Sequence, residues 1–410
     1  MLLSRAAEIA LLTLAGLGCT ATPAPPTPSG APVVAEEAAA PAPPPPAPEP
    51  ATPPAPRPYP TILGAAGDPR FHAFWPVRPQ RIERVEWRYA GGEHMGMAMP
   101  DPSGERVFVQ AGAGSVRCLD TRTGKALWGG PGSPHFNSSS SVLGPGERSY
   151  GSAFNALRCV DREGKPVWEA ALGASWVHAP PAVSPDGKRV YFGGDGCGLA
   201  VLDAATGEVL HRRGGSGSHN GYGFDDEGRL LLRTDGGIAC LEESGAEAWA
   251  WVGGAVDFLF LDGTLYAAQK DRIVAWRPAG RRTAWDLEAG GKVTGLALAA
   301  DRGEILAALE SGELLRVGLD GRGWTRTRVS KKALAPPAAA PDGEAIVADA
   351  DGVVSVLDVD GRLLGQVATG EGPHWSWGGR PVVGPDGSVY YSQRDALLRL
   401  TGPHPPDEGR

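Results

Sequence analysis

A pattern of about forty residues that returns from residue 80 onward constrains the fold more than any other feature of this sequence. Its clearest copies are VRCLDTRTGKALW (116–128), LRCVDREGKPVW (157–168) and LAVLDAATGEVL (199–210). Each copy has a short apolar strand that ends in an acidic residue, then a turn with glycine and often a tryptophan. The acidic residues recur at intervals of 41, 42 and 39 residues: Asp120, Asp161, Asp203 and Glu242.

A second hairpin precedes each of these strands. Its turn contains aspartate and glycine between apolar runs, as in DPSGERVFV (101–109), SPDGKRVYF (184–192) and GPDGSVYYS (384–392). Each repeat is therefore predicted to be a sheet of four antiparallel strands. Strands such as LAVLD are apolar at successive positions, so both faces of the sheet require cover. Blades packed around an axis provide that cover, and the fold class predicted is an all-β, single closed β-propeller.

The two ends of the repeat region predict how the ring closes. The last repeat stops after its third strand, ALLRLTG (396–402), and the missing fourth strand stands before the first repeat, as RVEWRY (84–89). An N-terminal strand that completes the last blade would leave no open break in the ring. Third strands begin near residues 116, 157, 199, 238, 273, 314, 354 and 397, which predicts eight four-stranded blades. Seven blades are the alternative, because the copies at 273 and 314 are the least regular.

The first residues are typical of a lipoprotein signal peptide, 1–19. Arg5 precedes a short apolar run, which ends in LAGLGC at Cys19. This string resembles a bacterial lipobox, in which the cysteine is lipidated, although Gly16 stands where an aliphatic residue is usual. Ordinary signal cleavage after this region is the alternative. Thr20 is not the aspartate that would favour retention in the inner membrane, so we expect an outer-membrane lipoprotein facing the periplasm, or one exported to the cell surface.

The segment after the cysteine cannot form a core. Residues 20–60 are mostly Ala, Pro, Thr and Glu, a composition that favours extended polyproline II over packing. We interpret them as a disordered Pro/Ala-rich tether, with a proline-rich ligand for a partner groove as the alternative. A connecting segment (61–81), the propeller (82–402) and a tail (403–410) complete the predicted organisation.

Charge and cysteine usage exclude several functions. The net charge is −8, which disfavours nucleic acid as a partner because phosphate binding requires a basic surface. Three cysteines occupy the same repeat position, namely Cys118, Cys159 and Cys240. Equivalent positions on different blades are too far apart for a disulfide, so these residues are expected to be small buried apolar side chains. The acidic strings DADG (349–352) and DVDG (358–361) are interpreted as turns rather than calcium loops.

The strings LDTRTGKALW and LDAATGEVL, each after a hairpin with a glycine turn, resemble repeats of the pyrroloquinoline-quinone-type β-propeller family. The resemblance covers residues 82–402 and implies an eight-bladed ring. Together with the lipobox, it is most similar to the scaffold lipoproteins of the β-barrel assembly machinery. Quinone-dependent enzymes of the superfamily carry two adjacent cysteines, which this sequence lacks. No common catalytic motif is present either, so we expect no cofactor and no catalytic residues.

The histidines follow the repeat. His94, His135, His178 and His219 are separated by 41, 43 and 41 residues, and each stands shortly before the predicted first strand of a blade. A loop histidine copied by duplication for a local hydrogen bond is the simplest explanation. The alternative is a binding mouth at one end of the channel, formed with further residues of the same loops. Its candidate residues are His94, His135, His178, His219, His374, Trp176, Trp375 and Trp377, and we predict no bound metal.

These features favour a membrane-tethered, non-catalytic scaffold that binds protein partners in the periplasm or at the outer membrane. The propeller itself is expected to be monomeric, and the lipid anchor would be its contact with the membrane. A ligand- or metal-binding propeller that uses the histidine mouth is the first alternative. A quinone-linked enzyme or a lyase is the second.

Overall fold

A computed structural model describes residues 77–92, 95–111, 115–129, 141–153, 155–173, 180–194, 198–214, 221–373 and 379–402. These residues form eight four-stranded antiparallel sheets, which are the eight predicted blades. The chain is an all-β propeller, and the alternative of seven blades is wrong. Within the described ranges, the only helical segments are the 3₁₀ turns Pro145–Glu147 and Ala300–Arg302. No helix among these residues has the length and apolar character needed to cross a membrane.

Thirty-two strands build the blades in chain order. The first strand and blades 1 to 4 comprise β1 (Arg84–Ala90); β2 (Met99–Pro100), β3 (Arg106–Ala111), β4 (Ser115–Asp120), β5 (Ala126–Gly129); β6 (Val142–Gly144), β7 (Arg148–Ala153), β8 (Ala156–Val160), β9 (Pro166–Ala171); β10 (Ala182–Val183), β11 (Arg189–Gly194), β12 (Gly198–Asp203), β13 (Val209–Arg213); β14 (Gly221–Phe224), β15 (Leu230–Thr234), β16 (Gly237–Leu241) and β17 (Glu247–Val252). Blades 5 to 8 comprise β18 (Asp257–Leu261), β19 (Thr264–Ala268), β20 (Arg272–Arg277), β21 (Arg282–Glu288); β22 (Val293–Ala299), β23 (Glu304–Leu309), β24 (Glu313–Gly318), β25 (Thr325–Arg328); β26 (Ala338–Ala339), β27 (Ala345–Ala348), β28 (Val353–Leu357), β29 (Leu363–Ala368); β30 (Val382–Val383), β31 (Val389–Ser392) and β32 (Ala396–Thr401).

Closure of the ring follows the predicted scheme. Strand β1 pairs antiparallel with β32, with Arg84 opposite Thr401 and Tyr89 opposite Leu397. The sheet order is β1-β32-β31-β30, so the N-terminal strand is the outermost strand of blade 8. The first and last parts of the propeller are thus held in one sheet, and β32 has a neighbour on both sides.

The third strands lie between packed neighbouring blades. Cys118, Cys159 and Cys240 are each 0% exposed and carry free thiols, as predicted for small buried side chains. Burial raises the pKa of the Cys118 and Cys159 thiols to about 12, so both are protonated at neutral pH. Cys197 lies outside the described residues.

The acidic residue at the end of the third strand organises the following turn. Asp120 Oδ1 accepts hydrogen bonds from the Thr123 hydroxyl and backbone N–H, both at 2.7 Å, and these bonds lower the pKa of Asp120. Asp358 Oδ1 likewise accepts from the backbone N–H groups of Asp360 (2.9 Å) and Arg362 (2.7 Å). The string DVDG is therefore a turn, as interpreted from the sequence.

A tryptophan of the outermost strand joins one blade to the next. Trp128 of blade 1 donates its Nε1–H to the Arg162 carbonyl oxygen of blade 2 at 2.8 Å. A Cβ placed on Gly164 of that turn would lie 2.4 Å from the Trp128 ring, and Gly164 has φ 79°, so only glycine fits there. Three further tryptophans make the same bond to the following blade: Trp87 to Thr121, Trp168 to Ala204 and Trp285 to Leu319.

A β-bulge directs this tryptophan toward its neighbour. In blade 1, Cys118 pairs with Trp128 but Leu119 pairs with Ala126, which leaves Leu127 as the extra residue. The same shift between third and fourth strands occurs in every described blade except blade 6. A bulge turns the side chain that follows it, and here that side chain crosses to the next blade.

Candidate functional site

The residues predicted from the sequence to form a binding mouth are not covered by the described part of the chain. His94, His135, His178, His219, His374, Trp176, Trp375 and Trp377 all lie outside the described residues, as does the lipidation candidate Cys19. The strand bounds do show where the histidines fall along the chain. His135, for example, comes after β5 ends at Gly129 and before β6 begins at Val142. The binding mouth therefore stays a prediction.

A buried ion pair lies where the innermost strands begin. Arg380, just before β30 in blade 8, donates to Asp257 Oδ2 of blade 5 at 2.7 Å and to the Leu296 carbonyl oxygen of blade 6 at 3.0 Å. Asp257 Oδ2 also accepts the Leu296 backbone N–H at 2.8 Å. Arg380 is only 6% exposed. The pair therefore links three blades from inside the ring.

A second arginine lies close to this pair. The Arg233 guanidinium donates to the Val256 carbonyl oxygen, and burial lowers the pKa of Arg233, although the charge of Asp257 opposes that shift. The guanidinium of Arg380 is already committed to a carboxylate and a carbonyl group. The sequence also lacks the two adjacent cysteines of the quinone-dependent enzymes. Within the described ranges, no group of three or more His, Cys, Asp or Glu side chains could hold a metal ion.

The seam between blades 3 and 4 is one of three that depart from the tryptophan pattern, the others being the seams between blades 6 and 7 and between blades 7 and 8. In blade 3 the position that follows the bulge is His211, which pairs with Val201 as Trp128 pairs with Cys118. A Cβ on Gly245 of blade 4 would lie 2.2 Å from His211 Nε2, so the imidazole takes the place of the indole in the contact with the next blade. An imidazole is smaller than an indole and fills less of the space between the blades.

A groove of about 550 Å³ lies at this seam, between blades 3 and 4. We call it the 3/4 groove. Its walls are the turn between the first two strands of each blade and the end of the third strand of blade 4. The lining residues are Ser184, Pro185, Asp186, Arg189, Tyr191, Glu227, Gly228, Arg229, Leu230, Leu241, Glu242 and Glu243.

The turns on the two sides of the 3/4 groove stand apart. A Cβ on Gly228 of blade 4 would be 3.7 Å from Pro185 of blade 3. At the seam between blades 2 and 3, a Cβ on Gly187 would be only 2.3 Å from Pro145. The neighbouring seam is therefore closed at the level where the 3/4 groove is open.

The 3/4 groove is acidic, because four carboxylates and two guanidinium groups line it. Arg229 Nε donates to the buried Asp225 at 2.7 Å, and Arg189 pairs with Glu243. Burial and the neighbouring Asp225 raise the pKa of Glu227. Burial alone would raise the pKa of Asp186, but hydrogen bonds to its carboxylate outweigh burial and lower it. The shift at Glu227 favours its neutral form, whereas the shift at Asp186 favours the carboxylate, and the excess of acidic over basic side chains favours cationic ligands.

The other end of the same seam is also recessed. A depression of about 310 Å³ is lined by Arg213 of blade 3 and by apolar residues of blade 4 that include Ile238, Trp251 and Val252. Val252 is 87% exposed, the most exposed of the large apolar side chains in the described ranges. The seam between blades 3 and 4 is thus open at both ends.

The sequence contained a signal for this seam. Aligned on the turn glycine, the repeats place Trp128 and Trp168 where blade 3 has His211, so the exception could be read from the strings alone. What the strings do not show is that the tryptophan packs between blades rather than within one. That requires the register of the bulge, which the strings alone do not give.

Comparisons with known proteins agree with this architecture. Residues 152–303 match the family model described as outer membrane protein assembly factor BamB. The crystal structure of BamB from Moraxella catarrhalis superposes with a TM-score of 0.60 at 16% identity, over 78% of this chain and 98% of that one. The computationally designed Ika8 protein gives a TM-score of 0.64 at 16% identity, over 78% and 99%. No curated protein matches the chain in sequence.

The BamB family model covers the stretch from blade 2 to the start of blade 6, including the 3/4 groove. The structural likeness extends over the whole ring, although at this identity it speaks for the fold alone. The chain is therefore an eight-bladed β-propeller that resembles the pyrroloquinoline-quinone-type propellers and BamB.

Proposed function

We propose that this chain is an exported, membrane-tethered propeller that acts as a non-catalytic scaffold for protein partners in outer-membrane protein assembly. The 3/4 groove is the observation that carries the proposal. It is a recess with an acidic lining, formed by rigid turns of two blades, and its arginines are paired with carboxylates. Such a surface recognises charged groups of another chain and provides no activated nucleophile. The family model that matches this region is named for an assembly factor.

The N-terminal sequence supports the tethered location. LAGLGC at Cys19 follows an apolar run, and the proline-rich stretch after it is long enough to hold the propeller on the order of 100 Å from a lipid surface if extended. Replacing Cys19 by Ala should abolish lipidation and move the protein from the membrane fraction to the soluble fraction. Mass analysis of the mature N-terminus decides the point, because an unmodified chain beginning beyond Cys19 in the wild type would contradict the anchor.

Co-purification from detergent-solubilised membranes tests the scaffold role. The wild-type chain should retain components of the outer-membrane assembly machinery, and the double variant Glu242→Gln/Glu243→Gln should lose them. Glu105→Gln, which removes an exposed carboxylate from the first turn of blade 1 outside the groove, is the control. If the groove variant retains the same partners at unchanged yield, the 3/4 groove is not their binding site. If neither the wild-type chain nor any variant enriches a component of the machinery, the scaffold role is contradicted.

The histidine mouth is the second candidate, favoured by the recurrence of His94, His135, His178 and His219 just before first strands. Replacing these four residues together by Asn should preserve the melting temperature and weaken binding of a ligand or partner loop at that end of the channel. Metal analysis of the wild-type protein tests whether the histidine mouth binds a metal ion rather than an organic ligand or a partner loop. An unfolded variant would show that the histidines are structural.

A further inference from the structure

The turn between the third and fourth strands of blade 5 has the opposite charge from its counterparts. In blades 1 to 4 and in blade 7 this turn, which we call the third turn, begins with an acidic residue: Asp120, Asp161, Asp203, Glu242 and Asp358. Blade 5 has Arg277 at this position, and its third turn reads RPAGRR (277–282). The turn therefore carries three arginines and lacks the carboxylate that organises the turns of the other blades.

These arginines work against the stability of the turn. Arg277 and Arg282 are direct partners across β20 and β21, and like charges directly opposite each other destabilise a sheet. Arg281 has φ 47°, in the left-handed region that favours glycine. Within the described ranges no ion pair neutralises these three arginines, whereas Arg272 of the same blade pairs with Asp286 at 2.8 Å. A local exception of this kind, without a structural gain, is typical of a functional surface.

The third turn of blade 6 extends this positive surface and adds an exposed tryptophan. Trp285 of blade 5 donates its Nε1–H to the Leu319 carbonyl oxygen at 2.8 Å, and a Cβ on Gly321 would lie 2.7 Å from the Trp285 ring. The turn of blade 6 therefore rests directly on the outermost strand of blade 5. Trp324 is 55% exposed, while every other tryptophan of the described ranges is buried or half-buried.

The basic and aromatic side chains of these two turns form one surface. We define the 5/6 patch as their arginines and their tryptophan: Arg277, Arg281, Arg282, Arg322 and Trp324. Asp320 also lies in these turns, where its Oδ1 accepts the Arg322 backbone N–H at 2.9 Å. The two turns thus have four guanidinium groups and one carboxylate, on a chain whose net charge is −8. Guanidinium groups bind phosphate oxygens in a forked geometry, and an exposed indole suits the headgroup region of a bilayer.

The described chain begins at the same end of the blades. In a four-stranded antiparallel blade the first and third turns lie at one end and the second turn at the other. Arg78 Nε lies 2.5 Å from Asp342 Oδ2 in the first turn of blade 7, and the Gln80 N–H donates to the Gly387 carbonyl oxygen in the first turn of blade 8 at 2.7 Å. The segment that follows Cys19 therefore joins the propeller at the end that carries the 5/6 patch, beside blade 6.

We propose that the 5/6 patch binds the surface of an anionic phospholipid membrane. This inference goes beyond the scaffold function and rests on the proposed membrane-tethered location. The guanidinium groups bind lipid phosphates, and Trp324 enters the headgroup region. The third turn of blade 4, EESGAE (242–247), is acidic and is repelled by the same surface. The ring therefore meets the lipid at blades 5 and 6, and the 3/4 groove stays open to partners.

Co-sedimentation with vesicles tests the inference. The chain from residue 20 onward is used, because it keeps every described residue and lacks the signal peptide and the lipidated cysteine. We expect binding to vesicles of phosphatidylethanolamine and phosphatidylglycerol, none to vesicles of phosphatidylcholine alone, and weaker binding as salt is added. The variant Arg277→Gln/Arg281→Gln/Arg282→Gln should bind at least about tenfold more weakly, since each basic residue near an anionic surface adds to the attraction. Its melting temperature should not fall, because the like-charged pair is removed.

Matched variants show whether the effect belongs to the 5/6 patch. Arg122→Gln/Lys125→Gln/Lys165→Gln removes three exposed basic groups from the third turns of blades 1 and 2 and should bind as the wild type does. On anionic vesicles the tryptophan emission should shift to shorter wavelength in the wild type and much less in Trp324→Phe. Arg281→Gly suits the left-handed backbone and replaces the triple variant if that variant does not fold.

Absence of binding to anionic vesicles, or equal binding by the 5/6 patch variant and the control variant, overturns the inference. Binding of soluble polyphosphate through the same arginines, without binding to vesicles, also overturns it, because the patch would then serve a soluble anion. If vesicles do not bind while membrane partners still depend on Glu242 and Glu243, the inference is wrong and the scaffold function stands.

Discussion

The Trp128 side chain connects two neighbouring blades. Its indole packs on a turn glycine of blade 2 and donates a hydrogen bond to a carbonyl group there, while its backbone belongs to the outer strand of blade 1. The sequence predicts that a tryptophan recurs after the turn glycine. It does not predict the partner, because Arg162 lies 34 residues further along and the contact depends on the bulge at Leu127.

Trp128→Ala should destabilise the propeller by about 3 kcal/mol, near the low end for a large aromatic residue because the side chain is only half-buried. Trp128→Phe keeps the ring contact and loses the hydrogen bond, so it should cost about 1 kcal/mol. Urea unfolding followed by fluorescence and circular dichroism measures both values. Equal stability of the alanine variant and the wild type would show that the seam contact does not hold the blades together.

The buried thiols predict a stability loss at high pH. The folded-state pKa of Cys118 and Cys159 is raised to about 12, above the ordinary thiol value, because burial disfavours the thiolate. Unfolded chains therefore release these protons first as the pH rises. The contribution of the protonated thiols is fully present below the ordinary thiol pKa and is lost as the pH climbs toward the folded value.

Replacing Cys118 and Cys159 by Ala or Ser should flatten the fall in the free energy of unfolding between about pH 9 and pH 11. Native-state labelling with iodoacetamide checks the same point, since the described thiols should react only after unfolding. Rapid alkylation of Cys118 or Cys159 in the folded protein at pH 8 would contradict their burial.

At the scale of elements, the sequence predicts the strands and their pairing, but it does not predict that residues 77–83, the strap, lie across the seam between blades 7 and 8. Turn glycines and apolar third strands identify every blade, and the place of RVEWRY before the first repeat predicts that it is the closing strand. The strap has neither the alternation of a β-strand nor the spacing of an amphipathic helix. Its sequence, VRPQRIE, contains a single proline, and its site is created by Gly365, Gly387 and Gly402. Residues so distant in the chain leave no local pattern.

Truncation separates the two N-terminal elements from the tether. Removing residues 1–60 should leave the melting temperature unchanged, because the strap and β1 remain. Removing residues 1–90 deletes both and exposes the edge of β32 together with the contacts of Trp87, so aggregation and a lower melting temperature are expected. Comparable melts for the two truncations would contradict closure by β1.

At the scale of the whole molecule, eight seams are built to one plan with local exceptions. Indole side chains close several seams, the strap closes the seam between blades 7 and 8, and His211 leaves the seam between blades 3 and 4 recessed at both ends. A rigid ring with one recessed, acidic seam suits a protein that presents a surface to partners. The predicted histidine mouth belongs to the loops before the first strands and is a separate prediction.

Site-specific photo-crosslinking in cells tests the central claim most directly. A photoreactive residue at position 243 in the 3/4 groove, with position 105 as the control, is activated in living cells, and the crosslinked chains are identified by mass spectrometry. The account predicts a discrete crosslink from position 243 to a component of the outer-membrane assembly machinery and none from position 105. No crosslinked partner at position 243, in cells where the protein is anchored and folded, would contradict it.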